Sequence, residues 1–429
     1  MLVTMQPGPV KGEIQAIPSK SHLHRLLICA ALANGKTTIN CEHTGAQDIE
    51  ATISCLEALG ASIKRLENGY KVSPINFDHL PMTCILPCKE SGSTLRFMLP
   101  IVCALGVTGE FHLEGRLPDR PMAPLDEQLI AKGMTLTKPT ASILRCEGKL
   151  KPGAYTLPGN ISSQYISGLL MALPLLDANS ILEIRDNIES ADYIEMTLDV
   201  QKKFNVHHLF SNKTYTIKGN TEYKSPAHIV ADGDWSNGAF WLACGVMPSG
   251  HVALKGINPN SLQGDSRMAS LIRQIGAYLS WEWTDDQLTV KEDKRNAIEI
   301  DASAIPDLIP VLSAILSVAA GTSTITNASR LRIKESDRLR TTAQLLNTLG
   351  ANITELEDGL VIEGVPALKG GTVDANNDHR IAMTAAVASL ACCEPVILTG
   401  AQAVNKSYPK LWADLKSLGK KLEITKEGG

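Results

Sequence analysis

The chain has 429 residues, 44% of them hydrophobic and 20% charged, with a formal net charge of −4. That length holds two or three domains with substantial cores, and that composition excludes a disordered chain. The weakly acidic balance argues against a general nucleic-acid binder, which needs a broad basic face, but it leaves room for a locally basic pocket. The opening MLVTMQPGPVKGE has no basic start followed by an apolar run, so no signal peptide is expected. The longest apolar runs, such as LIPVLSAILSVAAG, fall short of the roughly 20 residues that cross a bilayer. The ten cysteines form no CxxC pair and lack histidines at zinc spacing. Reduced thiols in a cytoplasmic protein without a bound metal are the expectation.

From the N-terminus, the first strong signal is IPSKSHLHRLLICAALANG, residues 17–35, where Lys20, Ser21 and Arg25 precede a wholly apolar helix. A helix N-terminus already carries partial positive charge, so cations there repel it unless an anion sits in front. Five further all-apolar helices follow in chain order: FMLPIVCALG, ISGLLMALPLL, GAFWLACGVM, LIPVLSAILSVAAG and IAMTAAVASLACC. A helix that is apolar all round is buried. Amphipathic helices alternate with these, as in DIEATISCLEALG and RLRTTAQLLNTLG, and each leads into a glycine, a strand, a tight turn and a second strand. CLEALGASIKRLENGYKV, LIRQIGAYLSWEWTDDQLTV and LLNTLGANITELEDGLVIEG show this best, with Asn68-Gly69 and Asp358-Gly359 as hairpin signals. The landmarks Gly60, Gly133, Asn205, Gly276, Gly350 and Gly419 lie 73, 72, 71, 74 and 69 residues apart. Six repeats of an α/β unit follow from that period. The segment GNTEYKSPAHIVADGD, residues 219–234, has no helical period and reads as a crossing between two domains of three units each. A binding site is expected in the cleft between them.

Polar residues stand at matching positions ahead of the buried helices: Arg25, Arg96, Gln164, Ser236, Asp307 and Arg380, spaced by 71, 68, 72, 71 and 73. The amphipathic helices repeat the pattern with Asp48, Arg120, Tyr193, Asp265, Asp337 and Tyr408. Helix N-termini decorated with guanidinium forks suit a multiply charged anion. In RIKESDRLR, Lys334 and Arg338 read as i,i+4 neighbours on a helix start, with Glu335 as an acid–base group held among cations. Ser162 and Ser163 read as helix caps that can also meet a ligand, Asp232 and Asp234 as turn braces, and His22, His24 and His379 as structural or surface residues.

The stretches PSKSHLHR, ESGSTLRF, LPDRPMAPL, GNISSQYISGLL, SADYIEMTL, LQGDSR, IPDLIPVLS, IKESDR, NDHRIAM and KSYPKLW occur in the order typical of one enzyme family. The chain resembles, end to end, the 5-enolpyruvylshikimate-3-phosphate synthases (3-phosphoshikimate 1-carboxyvinyltransferases). The resemblance implies an α/β fold of two similar domains, each made of three βαβαββ units around buried helices, an inside-out α/β barrel. Residues 19–226 would form the first domain, mainly for shikimate 3-phosphate. Residues 1–18 and 227–429 would form the second, carrying phosphoenolpyruvate and catalytic groups. The implied reaction moves the enolpyruvyl group of phosphoenolpyruvate to the 5-hydroxyl of shikimate 3-phosphate, without cofactor or metal, in a monomer.

By that similarity Lys20, Ser21, Arg25, Ser162, Ser163, Gln164, Ser190, Tyr193, Asp307 and Lys334 would hold shikimate 3-phosphate. Lys20, Gly92, Arg120, Gln164, Arg338, Arg380 and Lys406 would hold phosphoenolpyruvate. Asp307, Glu335, Lys20 and Lys406 would carry the chemistry, with Asp307 taking the 5-hydroxyl proton and either Glu335 or Lys406 protonating the methylene carbon. The family usually has Asn where Glu90 stands. Two alternatives compete. A sister transferase acting on UDP-N-acetylglucosamine normally has a cysteine or an aspartate in the loop upstream of the arginine matching Arg120; this loop, LEGRLPDRPM, has no cysteine, and its Asp119 lies too close to the arginine. A non-catalytic anion-binding repeat protein would have lost Asp307, Glu335 or the arginines, which are all present.

Overall fold

The computed structural model describes residues 1–282 and 286–425, so the turn expected at WTDD includes positions outside the described residues. Two compact units account for the chain. One comprises Lys20–His43 and Gln47–Ala231, and the other Met1–Ser19, Thr44–Ala46 and the chain from Asp232 onward. The first carries helices α1 (Lys20–Ala31), α2 (Gln47–Ala58), α3 (Gly92–Leu105), α4 (Leu125–Ala131), α5 (Ser163–Ala172) and α6 (Ala191–Lys203). The second carries α7 (Trp235–Val246), α8 (Met268–Ile275), α9 (Ile309–Leu316), α10 (Arg338–Thr348), α11 (His379–Ala388) and α12 (Leu411–Ser417).

The odd-numbered helices are the apolar ones, and every residue of α7, α9 and α11 is buried. In the second domain these three pack on one another. The even-numbered helices lie outside them and end at the six landmark positions. Gly60, Gly133, Gly276, Gly350 and Gly419 have φ of 91–100°, and Asn205 has φ of 62°. Those left-handed positions close each helix at C′, where glycine and asparagine carry the least steric cost.

Among the described residues, six four-stranded sheets complete the six repeats, all with one strand order. In the second repeat Thr83–Lys89 runs parallel to Thr108–Leu113, which pairs antiparallel with Ile143–Glu147, which pairs with Thr135–Thr140. The buried helix joins the two parallel strands, and the outer helix leads into the hairpin. Three sheets are completed from a distance. Lys11–Gln15 precedes α1 yet pairs with His251–Lys255 in the second domain. His228–Val230 precedes α7 yet pairs with Thr37–Asn40 in the first. The N-terminal strand Leu2–Met5 sits between Val396–Thr399 and Leu422–Thr425 of the sixth repeat. Because His228–Val230 stays with the first domain, the chain crosses at Ala231/Asp232, downstream of residues 226/227.

The hairpin glycines serve a different purpose from the one their dipeptides suggest. Leu66 pairs with Gly69 and Leu356 with Gly359, so each glycine begins the return strand instead of sitting within the turn. A Cβ at Gly69 would fall on the Ile39 carbonyl oxygen, and one at Gly359 on that of Ile325. These glycines are required by close approach of a neighbouring strand. Gly359→Ala is therefore expected to cost about 1–3 kcal/mol through overpacking, read as a lower urea midpoint. Gly35→Ala, whose Cβ meets nothing nearer than Ser225 Cβ at 3.6 Å, is expected to stay within about 0.5 kcal/mol of the parent.

Candidate active site

In the first domain, the N-terminal ends of the helices hold the cations. Lys20 Nζ, the first residue of α1, is 2.7 Å from Asp48 Oδ2 on α2. Arg25 is 2% exposed and lies 4.9 Å from the Phe97 ring centroid. Its Nε donates to Thr197 Oγ1 at 2.6 Å, Nη1 to Ser21 O at 2.7 Å, and Nη2 to Tyr193 O at 2.9 Å and Ser167 Oγ at 3.4 Å. Among the described residues these contacts occupy four of its five N–H groups, leaving one on Nη1 for a ligand. Arg25 thus braces α1 against α5 and α6 as much as it faces outward.

Gly92 opens α3, whose first turn is capped by Ser91 accepting from Thr94 N. A Cβ at Gly92 would stand 2.7 Å from Nη1 of both Arg96 and Arg120. Only a glycine admits two guanidiniums this close to the start of the helix. Arg96 Nη1 donates to Gln164 Oε1 at 2.9 Å, and Gln164 Nε2 to Ser93 Oγ at 2.9 Å, so the amide of Gln164 ties α5 to α3. Burial, then the neighbouring Arg120 charge, pulls Arg96 down to about 10, and burial does the same to Arg25. Both stay cationic at neutral pH. The Glu90 carboxylate lies against Gly115, where an added Cβ would strike it. Ser162 stands at the N-cap of α5 without a capping bond, and Ser190 holds the N-cap of α6 in a left-handed conformation, φ 53°. A serine kept there is backbone strain maintained by its surroundings, as at many functional positions.

The second domain gathers its charge around Arg338, whose side chain is 3% exposed. Nε and Nη2 of Arg338 meet Asp378 Oδ2 and Oδ1 at 2.7 and 3.1 Å, a bidentate pair. Nη1 donates to Asp307 Oδ1 at 2.7 Å and Nη2 to Glu335 Oε2 at 3.3 Å. Asp307 also faces Lys334 Nζ at 3.7 Å and Arg380 Nη2 at 3.9 Å. Arg380 Nη1 donates to Ser236 O at 2.8 Å, so the starts of α7, α9 and α11 meet here. His379 Nδ1 is 2.7 Å from Glu335 Oε2. Lys406 Nζ donates to Asn377 O. Glu335, Asp378 and His379 present ligand-type atoms within 4.8 Å of one another, but the Arg338 cation already sits against both carboxylates.

Lys334 and Arg338 do not share a helix. Asp337 caps α10 by accepting from Arg340 N, so Lys334 precedes the helix and both cations reach one Asp307 oxygen. Burial pushes Asp307 up, but Lys334, then Arg380 and Arg338, outweigh it and hold its carboxyl well below the usual range. Asp265 shows the opposite balance. It is fully buried, accepts from Ser236 Oγ, and its Oδ1 has no partner among the described residues. Burial, then the Asp307 charge, pushes it up to about 6.

Within the first domain the structure joins Lys20 to Asp48, Arg25 to Ser21 and Tyr193, and Gly92 to Arg120 and, through Arg96, to Gln164. Within the second it joins Asp307, Lys334, Glu335, Arg338 and Arg380. Asp378 and His379 were missed as site residues by sequence reasoning; the signal for Asp378 was its place as N-cap of α11, accepting from Arg380 N. Asp337 and Tyr408, which share the repeat register, are structural: Asp337 pairs with Arg332, and the Tyr408 hydroxyl donates to Asp414.

A sequence profile described as EPSP synthase (3-phosphoshikimate 1-carboxyvinyltransferase) matches residues 4–415. The chain belongs to the EPSP synthase family. It is 41% identical over 426 residues to the 3-phosphoshikimate 1-carboxyvinyltransferase of Clostridium acetobutylicum, covering 97% of each chain. The same enzyme of Clostridium kluyveri is 40% identical, with 98% of each chain covered. Solved structures with this fold include an EPSP synthase from Acinetobacter baumannii, at a TM-score of 0.81 and 22% identity, covering 99% of this chain and 100% of that one. The enolpyruvyl transferase NikO from Streptomyces tendae follows at 0.78 and 17%, covering 99% and 98%. The likeness of fold to these structures thus extends over 99% of this chain.

The raised Asp265 yields a pH prediction. Below about pH 4 the carboxyl is protonated in both folded and unfolded chains; between about 4 and 6 the folded chain keeps a proton that the unfolded chain releases. Stability from this group therefore falls as pH rises through that window and then levels. Asp265→Asn, neutral throughout, is expected to gain on the parent by on the order of 2 kcal/mol between about pH 4.5 and 7, measured as urea midpoints. A constant difference across that range would refute the shift.

Proposed function

We propose that this protein transfers the enolpyruvyl group of phosphoenolpyruvate to the 5-hydroxyl of shikimate 3-phosphate and releases phosphate, a step of the shikimate pathway to chorismate and aromatic amino acids. Membership of the EPSP synthase family supports the reaction class. The observation that carries the chemistry is a pair of carboxylates, Asp307 and Glu335, bonded to the two Nη atoms of one buried guanidinium, Arg338.

In this reading shikimate 3-phosphate is held by Lys20, Ser21, Arg25, Ser162, Ser163, Gln164, Ser190, Tyr193, Asp307 and Lys334. Phosphoenolpyruvate is gripped by Lys20, Gly92, Arg120, Gln164, Arg338, Arg380 and Lys406. The incoming anion takes over part of the attraction that Arg338, Arg380 and Lys334 exert on Asp307. That raises the proton affinity of Asp307 when a base is needed. Asp307 accepts the 5-hydroxyl proton as the hydroxyl oxygen bonds to C2 of phosphoenolpyruvate, while Glu335 or Lys406 protonates the methylene carbon. One of the three hydrogens of the resulting methyl group then returns as a proton to the group that protonated the carbon, the C2–O bond to phosphate breaks, and the enol ether forms. The cations stabilise the charge that develops on the phosphate as it leaves.

Phosphate release from phosphoenolpyruvate tests the proposal. It is expected with shikimate 3-phosphate and not with UDP-N-acetylglucosamine; release with the nucleotide sugar alone would overturn the acceptor, and release with neither would overturn the reaction. Glu335→Gln and Asp307→Asn are each expected to lower kcat by about 10²–10⁴ while KM moves only a few-fold. Unchanged kcat in either variant would remove that residue from the chemistry.

A further inference from the structure

Beside the Lys20–Asp48 pair, a row of buried polar groups runs through the first domain that the mechanism above does not use. His24 Nδ1 is 2.7 Å from Thr52 Oγ1, which is 2.7 Å from Thr94 Oγ1, which is 2.7 Å from Ser91 Oγ. His24, Thr52 and Thr94 have no exposed surface, and Ser91 has 1%. A hydroxyl carries one proton, and this determines the direction of the row. Thr94 donates to Ser91 Oγ or, at 3.3 Å, to Asp48 O. Its oxygen therefore accepts from Thr52, and Thr52 accepts from Nδ1–H of His24. Nε2 of His24 has no hydrogen-bond partner among the described residues. As a bare acceptor it costs less than an orphaned N–H would, and burial together with Lys20 and Arg25 keeps the ring neutral.

The spacing gives the row its meaning. His24 lies one helical turn after Lys20 on α1, and Thr52 one turn after Asp48 on α2; Thr94 follows Gly92 on α3. Ser91 Oγ, at the end of the row, is also the cap of α3, accepting from Thr94 N at 3.3 Å. The hydroxyl row thus ties together three helices that the Lys20–Asp48 bond links only in part. One of them, α3, presents Gly92 to Arg96 and Arg120.

We infer that Thr94, Thr52 and His24 are positioning residues for the phosphoenolpyruvate anion, holding Lys20 and the start of α3 in one register before the substrate arrives. The inference rests on the proposed reaction. Preorganisation of this kind removes an ordering cost from binding, so its loss appears mainly in the affinity for the anion that the register serves.

Thr94→Val keeps the shape of the side chain and deletes the hydroxyl; Thr94→Ser keeps the hydroxyl. Thr94→Val is expected to raise KM for phosphoenolpyruvate about tenfold, with kcat and KM for shikimate 3-phosphate changed less than about threefold. Thr94→Ser is expected to restore the parent values. Equal KM for phosphoenolpyruvate in Thr94→Val and the parent would overturn the inference, as would a Ser variant as defective as the Val variant, which would indicate packing alone. Thr52→Val, one link farther along the row, is expected to shift the same KM in the same direction and serves as the test if Thr94→Val does not fold. An unchanged KM there overturns the inference equally. Turnover of the parent chain, measured alongside, tests the reaction itself separately.

Discussion

The polar end of the second domain depends on one buried guanidinium. Arg338 reaches three carboxylates, and the one that makes the others usable is Asp378, which is fully buried and bonds it on two nitrogens. An unpaired buried charge costs several kcal/mol, so Asp378 holds Arg338 in place whatever else occupies the site. Its remaining hydrogen-bonding capacity is then directed at Asp307 and Glu335. Asp378 is also the cap of α11, and Arg380 is the second residue of that helix. One carboxylate therefore orients two cations by different means, through a side-chain fork and through a helix start.

The first domain solves the converse problem. Its cations, Lys20, Arg25, Arg96 and Arg120, stand near helix N-termini whose dipoles disfavour them. Asp48 offsets the charge of Lys20, and Arg25 is held by carbonyl and hydroxyl oxygens. Arg96 and Arg120 stand together where Gly92 has no side chain, with the Gln164 amide oxygen as a neutral acceptor. Arg96 also donates to Pro121 O at 3.4 Å and lies 5.6 Å from the Tyr165 ring centroid, and two guanidiniums side by side have the geometry that suits a dianion. The two domains therefore differ in kind: one sets its carboxylates among cations, and the other gathers its cations at the helix starts.

Much of this was legible in the residues. The period near 72 residues, the alternation of buried and amphipathic helices, and the left-handed C′ positions arise from interactions within one turn or between adjacent residues, so they are written locally. The cation positions follow from the same register. The family resemblance placed Lys11–Gln15 with the second domain, but the partner of His228–Val230 was not legible, because that strand does not distinguish its own sheet from the equivalent one in the other domain by pattern alone. The contact between His379 and Glu335 was not legible either, because a histidine after a capping aspartate carries no local sign of a carboxylate from another element.

The sequence by itself determined the fold class, the six-fold repeat, the family and which residue types could meet an anion, since period, propensity and motif order are properties of neighbouring residues. Only the tertiary structure decided that Gly69 and Gly359 yield to an adjacent strand. It alone placed Asp378 on the guanidinium that Asp307 and Glu335 share, and His24, Thr52 and Thr94 in one row. Those outcomes depend on side chains about thirty to forty residues apart meeting at hydrogen-bond distance, for instance Arg338 and Asp378, or Thr52 and Thr94. Packing of whole elements sets such meetings, and no local pattern encodes them.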